Sequence, residues 1–283
     1  MEYHNPVLLK ETVDGLNIHP DGVYVDVTFG GGGHSREIMS RLGKNGKLFA
    51  FDQDLDALKN AIDDGRFTLI NENFRYIKRF LRFHGIKQVD GILADLGVSS
   101  HQFDVAERGF STRFDAELDM RMNQKGDISA YHVVNEYDEQ DISRVLFDYG
   151  ELKNARAMAN VIVTARKDKE IRNSDELKKV LAKFLPGHKS NKILAQIYQA
   201  IRIEVNQEMD VLKEFLEQSL EILKPGGRLS VISYHSLEDR LVKRYMRNGM
   251  FEGEPERDVF GNFKVRFKII EKLIVPTEEE IAS

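Results

Sequence analysis

Four consecutive glycines, Gly30–Gly33, run directly into His34, and two aspartates, Asp52 and Asp95, each close an apolar run further along the chain. Glycine accepts positive φ without a Cβ clash and lets a backbone come close to a ligand. A glycine turn between an apolar run and a helical pattern is therefore a candidate ligand cradle. A flexible surface loop is the alternative. Asp52 stands 22 positions after Gly30, and an acidic residue about 20 positions beyond such a turn is placed to accept hydrogen bonds from ribose hydroxyls. The G-x-G-x-x-G frame starting at Gly30 puts Ser35 where the third glycine belongs, and nothing basic is arranged for a pyrophosphate. An adenosine ligand lacking phosphate fits better. S-adenosylmethionine is such a ligand, and its sulfonium is cationic. Asp52 and Asp95 suit it as hydrogen-bond acceptors and as negative charge. Phe74 offers an apolar face for adenine, or is an ordinary core phenylalanine.

These residues need a scaffold, and the hydrophobic pattern supplies one. Strands are expected at Val23–Val27, Lys47–Asp52, Phe67–Ile70 and Val89–Asp95, alternating with helices at Ser35–Leu42, Leu55–Ile62 and Tyr76–Phe83. That alternation indicates a parallel sheet covered on both faces. From about Phe103 to Glu204 the pattern turns helical, for example at Asp138–Tyr149, Ala155–Ala165 and Asp175–Phe184, with Asn173-Ser174-Asp175-Glu176 offering side-chain oxygens able to cap the last. A helix at Val211–Leu223 then stops at Lys224-Pro225-Gly226-Gly227. A strand at Arg228–Ser233, a helix at Ser236–Arg247 and one or two strands within Phe263–Val275 complete the pattern, with Thr277–Ser283 as a loose end. The expected division is an α/β domain of residues 1–103 and 205–283 and an inserted helical domain of residues 104–204.

The 283-residue chain has no cysteine, so disulfides and thiolate metal sites are excluded and a reducing cytoplasm is the expected compartment. No apolar run is long enough to span a bilayer, and no secretion signal opens the chain. No Cys/His cluster has ligand spacing, and no metal is expected. The net charge is −5, yet Lys153–Arg202 holds 12 Lys or Arg against 4 Asp or Glu, a local +8 that leaves −13 elsewhere. Such a segment suits a polyanion or is a set of solvated helix faces.

Several ordered blocks resemble one family. They are His4-Asn5-Pro6-Val7-Leu8-Leu9, Thr28–Ser35, Asp95-Leu96-Gly97-Val98-Ser99-Ser100-His101-Gln102-Phe103-Asp104, Glu107–Ser111, Leu118–Met122, Gln199–Ile203 with Val205-Asn206, Gly226–Arg228, and Ser233-Tyr234-His235-Ser236-Leu237-Glu238-Asp239-Arg240. Together they resemble the bacterial 16S ribosomal RNA cytosine-N4 methyltransferases. The resemblance implies a class I, Rossmann-like methyltransferase fold with a helical insertion after the fourth strand, S-adenosylmethionine as cofactor, and a cytosine in the decoding region of small-subunit RNA as substrate. It also implies cofactor contacts at Gly32, Gly33, His34, Asp52, Phe74, Asp95 and Gln102, which for Phe74 favours the adenine role. Two stretches depart from the family. Lys192–Tyr198 stands where many members carry a His-Pro-Ala-Thr-Arg-like block, so Lys189 and Lys192 are the substitutes for its RNA contacts. Glu278–Ser283 stands where members carry a basic tail.

A cytosine amino group is a poor nucleophile, because its lone pair is delocalised into the ring. Acceptors that hold its hydrogens while it lies in line with the methyl would help. Asp95 and Ser99 are the candidate acceptors, with a purely cofactor-binding Asp95 as the alternative. His235 is a candidate for binding the base or a phosphate. For the RNA backbone the candidates are Arg108, Arg113, Lys178, Lys179, Lys189, Lys192, Arg202, Arg240 and Lys243, with Lys183, Arg244 and Arg247 beside them; Arg121 lies near the mouth or pairs structurally with Asp119 or another carboxylate, and His4 is expected near the mouth by resemblance. Rival readings are a nicotinamide-dependent oxidoreductase, an RNA-binding factor without activity, and a methyltransferase acting on DNA, a carboxylate or a protein amine. The sequence leaves the oligomeric state open, a homodimer included.

Overall fold

The structure, a computed structural model, describes residues 6–261, 263, 265–271 and 273–277. His4 and residues 278–283 lie outside them. Contacts divide the chain into two compact units, Met1–Gly97 with Met209–Ser283, and Val98–Glu208.

The first unit is an α/β sheet. In chain order it runs α1 (Leu9–Gly15), β1 (Val23–Asp26), α2 (Gly33–Arg41), β2 (Lys47–Phe51), β3 (Phe67–Ile70), α3 (Ile77–Phe83) and β4 (Val89–Asp95). All strands pair in parallel in the order β3-β2-β1-β4-β5, where β5 is Leu223–Ile232. Alternate residues of a strand face opposite sides. Tyr24, Leu48 and Leu93 thus meet α1 and α2 through Val13, Leu16, Ile38 and Met39. On the other face Phe51 meets Phe80 of α3 edge-on, with ring centroids 6.4 Å apart. Burying side chains of this size contributes roughly 1.5–3 kcal/mol each.

Two segments depart from the pattern reading. Leu55–Asn60 is a 3₁₀ helix rather than an α-helix, capped by Asp54, whose side chain accepts from the Asp56 N–H. β5 begins at Leu223 and carries Lys224-Pro225-Gly226-Gly227 inside it, with a register irregularity opposite Val89–Gly91. Pro225 is tolerated because it falls in that irregularity of an edge strand, between the paired Leu223 and Arg228. Among the described residues of Phe263–Val275 there is no strand, contrary to the pattern. Val265, Ile269, Ile270, Leu273 and Val275 are more than half exposed.

The second unit is helical. It holds α4 (Ser100–Asp104), α5 (Ala130–Asn135), α6 (Glu139–Asp148), α7 (Ala155–Asp168), α8 (Ser174–Val180) and α9 (Ser190–Asn206). It has its own core, in which Met120, Val133, Val145, Ala159, Leu177, Ile197 and Ile201 are buried. Asn173 caps α8 as its type suggests, its side chain accepting from the Glu176 N–H at 2.9 Å. Helices α10 (Glu208–Ile222) and α11 (Ser236–Asn248) flank β5 in sequence and return the chain to the sheet.

Candidate active site

In an open parallel sheet the ligand crevice lies beyond the carboxyl ends of the strands, where the strand order reverses. Here that point is between β1 and β4. Asp26 ends β1 and Asp95 ends β4. Thr28 ties the two ends together, because the Asp95 N–H donates to its hydroxyl oxygen at 2.7 Å.

The turn between β1 and α2 is held from inside. Asp26 is fully buried; its carboxylate accepts from the Ser35 hydroxyl at 2.6 Å and from the Thr28 N–H at 3.1 Å. Burial raises its pKa, opposed by the nearby His34 and by these hydrogen bonds. Gly32 has φ +77° and a Cβ there would sit 2.9 Å from the Phe29 ring. At Gly33 a Cβ would lie 2.2 Å from Pro6 Cγ. Both glycines are therefore demanded by the chain's own packing, before any ligand is considered.

Asp52, one residue past β2, grips the same turn. It accepts from the Gly30 N–H and the Asp54 N–H, both at 2.8 Å. Burial pushes its pKa up to about 6, partly offset by those two N–H donors. Each carboxylate oxygen keeps a further lone pair for a hydroxyl. The resulting surface is a glycine turn whose far wall is an acceptor-only group, as a ribose diol requires.

The Asp95 carboxylate faces two polar side chains. The Tyr234 hydroxyl donates to its Oδ1 at 2.9 Å. His34 Nδ1 lies 3.7 Å from its Oδ2. Burial lifts the Asp95 pKa to about 6, with His34 and the Tyr234 bond pulling it down and the charges of Asp26 and Glu238 pushing it up. Burial and the adjacent carboxylate together raise the Tyr234 phenol. His34 Nε2 is buried with no hydrogen-bond partner among the described residues. A buried polar atom of this kind costs free energy unless something pairs with it. The carboxylates, the turn and this orphaned nitrogen fit an adenosyl sulfonium.

Sequence reasoning does not single out Asp26 or Tyr234 as site residues. Asp26 was legible as the acidic residue inside Val-Asp-Val-Thr before the glycines. Tyr234 becomes visible only once β5 is known to neighbour β4, which pairs Asp95 with Ile232.

Other expected site residues have local partners. Phe74, only partly buried, packs edge-on against Phe215, with centroids 5.3 Å apart. Within the second unit, Ser99 and Gln102 close a reciprocal capping box on α4. The Gln102 N–H donates to Ser99 Oγ and the Ser99 N–H to Gln102 Oε1, both at 3.2 Å. His235 caps α11, accepting weakly from the Glu238 N–H at 3.4 Å, and its Nε2 stands 3.2 Å from Glu238 Oε1.

The basic residues divide. Arg108 is 6% exposed and its guanidinium donates to the Arg121 carbonyl at 2.9 Å and the Met122 carbonyl at 3.3 Å. Arg202 is held by Glu208 at 2.8 and 2.9 Å. Both guanidinium groups thus have acceptors within their own unit. Arg121 pairs with Asp119 at 2.7 Å. Lys178 donates to the Thr112 carbonyl at 3.1 Å, and Lys243 pairs with Asp239 at 2.8 Å. Arg113, more than half exposed, lies over the Phe103 ring at 5.0 Å and pairs with Asp104 at 3.1 Å. Lys179, Lys183, Lys189 and Lys192 are exposed on the second unit, and Arg240 is exposed on α11.

Comparison with known proteins agrees with this picture. The chain matches the MraW methylase family over residues 1–283. It is 79% identical over 281 residues to the ribosomal RNA small subunit methyltransferase H of Flavobacterium johnsoniae, covering 99% of this chain and 93% of that protein. The protein of the same name from Flavobacterium psychrophilum is 73% identical over 274 residues, 97% of this chain and 94% of that one. That of Bacteroides thetaiotaomicron is 56% identical over 282 residues, 99% and 93% of the two chains.

Proposed function

This chain belongs to the MraW methylase family, and we propose that it transfers a methyl group from S-adenosylmethionine to the exocyclic N4 of a cytosine in the decoding region of small-subunit ribosomal RNA. The coarser activity, methyl transfer, is that of the family. The observation that carries the RNA assignment is near full-length identity of 79% to a relative named for the small-subunit ribosomal RNA.

The cofactor, when bound, supplies an electrophilic methyl on a cationic sulfur. Asp52 accepts the ribose hydroxyls while its grip on the Gly30 and Asp54 N–H groups keeps the turn in shape. Asp95 supplies the negative charge at the reacting end and accepts from the cytosine amino group. Drawing on those hydrogens raises the nitrogen's lone pair out of conjugation. No base of high strength is needed beforehand, because the amine loses its proton more readily once alkylated. Asp95 can take that proton, since its pKa of about 6 lies close to neutrality.

The base must leave its stack to reach this rim, which costs least in single-stranded or loop RNA. Exposed Lys179, Lys183, Lys189 and Lys192 on the helical unit then hold the phosphate backbone.

The test is transfer of a labelled methyl to small-subunit RNA from cells lacking this protein, followed by mapping of the modified nucleoside. The expected product is N4-methylcytidine within the decoding region. Label on a ribose, on a ring carbon or on another base would overturn the assignment.

A further inference from the structure

Tyr234 is an aromatic side chain fixed in place yet left in the open. It follows β5 by two residues, and the β4–β5 register sets its strand end beside that of Asp95. Its hydroxyl is tied to Asp95 Oδ1 at 2.9 Å. Its backbone N–H donates at 2.9 Å to Glu238 Oε2, a side chain only 3% exposed. Its ring edge lies 3.3 Å from the position a Cβ would take on Gly97, where φ is +102°. Despite this anchoring the residue is 55% exposed. Core packing does not explain it, because more than half of the residue is left exposed. A ring whose orientation is determined in advance loses little entropy when a second ring settles on it.

We propose that the Tyr234 ring is the stacking surface on which the extruded pyrimidine lies, with its exocyclic amine directed toward Asp95. The proposal rests on the cytosine reading above and adds the group that recognises the base. The phenol serves two ends. Its face receives the base, and its hydroxyl holds the Asp95 carboxylate in one orientation. Stacking on an aromatic side chain is tolerant of base identity, so the ring supplies affinity while Asp95 favours a base with an amino group at that position.

Two substitutions separate these parts. Tyr234→Phe keeps the ring and removes the hydroxyl; Tyr234→Leu removes the ring and keeps apolar bulk. Stacking losses correspond to about a five- to 150-fold change in binding. Tyr234→Leu should therefore raise KM for the RNA by about fivefold or more. Tyr234→Phe should leave that KM within about twofold and lower kcat. A readout independent of activity is photocrosslinking with RNA carrying 5-iodocytosine at the methylated position, since excited iodopyrimidines couple to an aromatic ring stacked on them. The adduct should map by mass spectrometry to Tyr234, persist in Tyr234→Phe and vanish in Tyr234→Leu. An adduct mapping elsewhere, or an unchanged KM in Tyr234→Leu, overturns the proposal while the cytosine reading stands. An unaltered enzyme that methylates no cytosine overturns both.

Discussion

Acidification should weaken cofactor binding in a calculable way. Asp52 and Asp95 both carry pKa values raised to about 6 by burial. A cationic sulfonium favours their ionised forms, so binding must release whatever protons they hold. Affinity is then full above about pH 7 and falls as pH drops through 6. At pH 5 a single carboxylate of pKa 6 holds its proton roughly ten times out of eleven, a weakening of about 11-fold, and two independent ones give an upper bound of about 120-fold. Asp26, His34, Glu238 and Tyr234 surround Asp95 and share the field, so the observed slope lies below that bound. Stability moves the other way. Both folded pKa values lie above the unfolded 3.8, so the ionised carboxylates cost stability, and protonating them on descent from pH 7 to pH 5 relieves that cost. Loss of binding at pH 5 therefore does not come from these two groups unfolding the protein. The assay is calorimetric Kd for S-adenosylmethionine from pH 8 to pH 5, repeated in buffers of different ionisation enthalpy to count released protons. The neutral thioether S-adenosylhomocysteine serves as control: it keeps the ribose contact with Asp52 and lacks the sulfonium charge, so its dependence should be shallower. Asp95→Asn should bind more weakly throughout and retain at most the single-carboxylate slope. A Kd constant within twofold from pH 8 to pH 5, or equal slopes for the two ligands, refutes the reasoning.

Asp95→Ala should abolish labelled-methyl transfer; near-normal turnover would remove Asp95 from the reaction. Charge reversal at Lys179, Lys183 and Lys189, all exposed, should weaken RNA binding and reduce the slope of log K against log salt by about 0.7 for each phosphate no longer neutralised. Cofactor Kd should not change, and an unaltered RNA affinity would take these lysines out of the interface. Ser35→Ala removes the 2.6 Å bond to buried Asp26 and should cost about 1–3 kcal/mol, seen as a Tm several degrees lower. An unchanged Tm would mean that the Asp26 carboxyl is already neutral and needs no such donor.

The sheet was legible because its strands are unbroken apolar runs. Phe67–Ile70 and Val89–Asp95 begin and end where the sequence pattern places them, and β1 and β2 differ by one residue at their ends. β5 was misplaced at its start because Pro225 and Gly226 read as a stop, whereas an edge strand accommodates both. The alternation in Phe263–Val275 has the right period for a strand, but a strand also needs a paired neighbour, and none is present among the described residues. At the site, Asp52 and Asp95 were readable because strand ends and glycine turns are local features. The partners of Arg108 and Arg202 were not readable, for the complementary reason. Where each guanidinium finds its acceptors depends on the fold, which brings Arg108 to the Arg121 and Met122 carbonyls and Arg202 to Glu208. Tyr234 was hidden by distance in sequence, 139 positions from Asp95.

A crystal structure with S-adenosylhomocysteine would test the site most directly. The account predicts its ribose hydroxyls on Asp52, its backbone-facing edge along Gly30–Gly33, and its sulfur turned toward Asp95. An adenosyl group bound with good density away from these residues would contradict it.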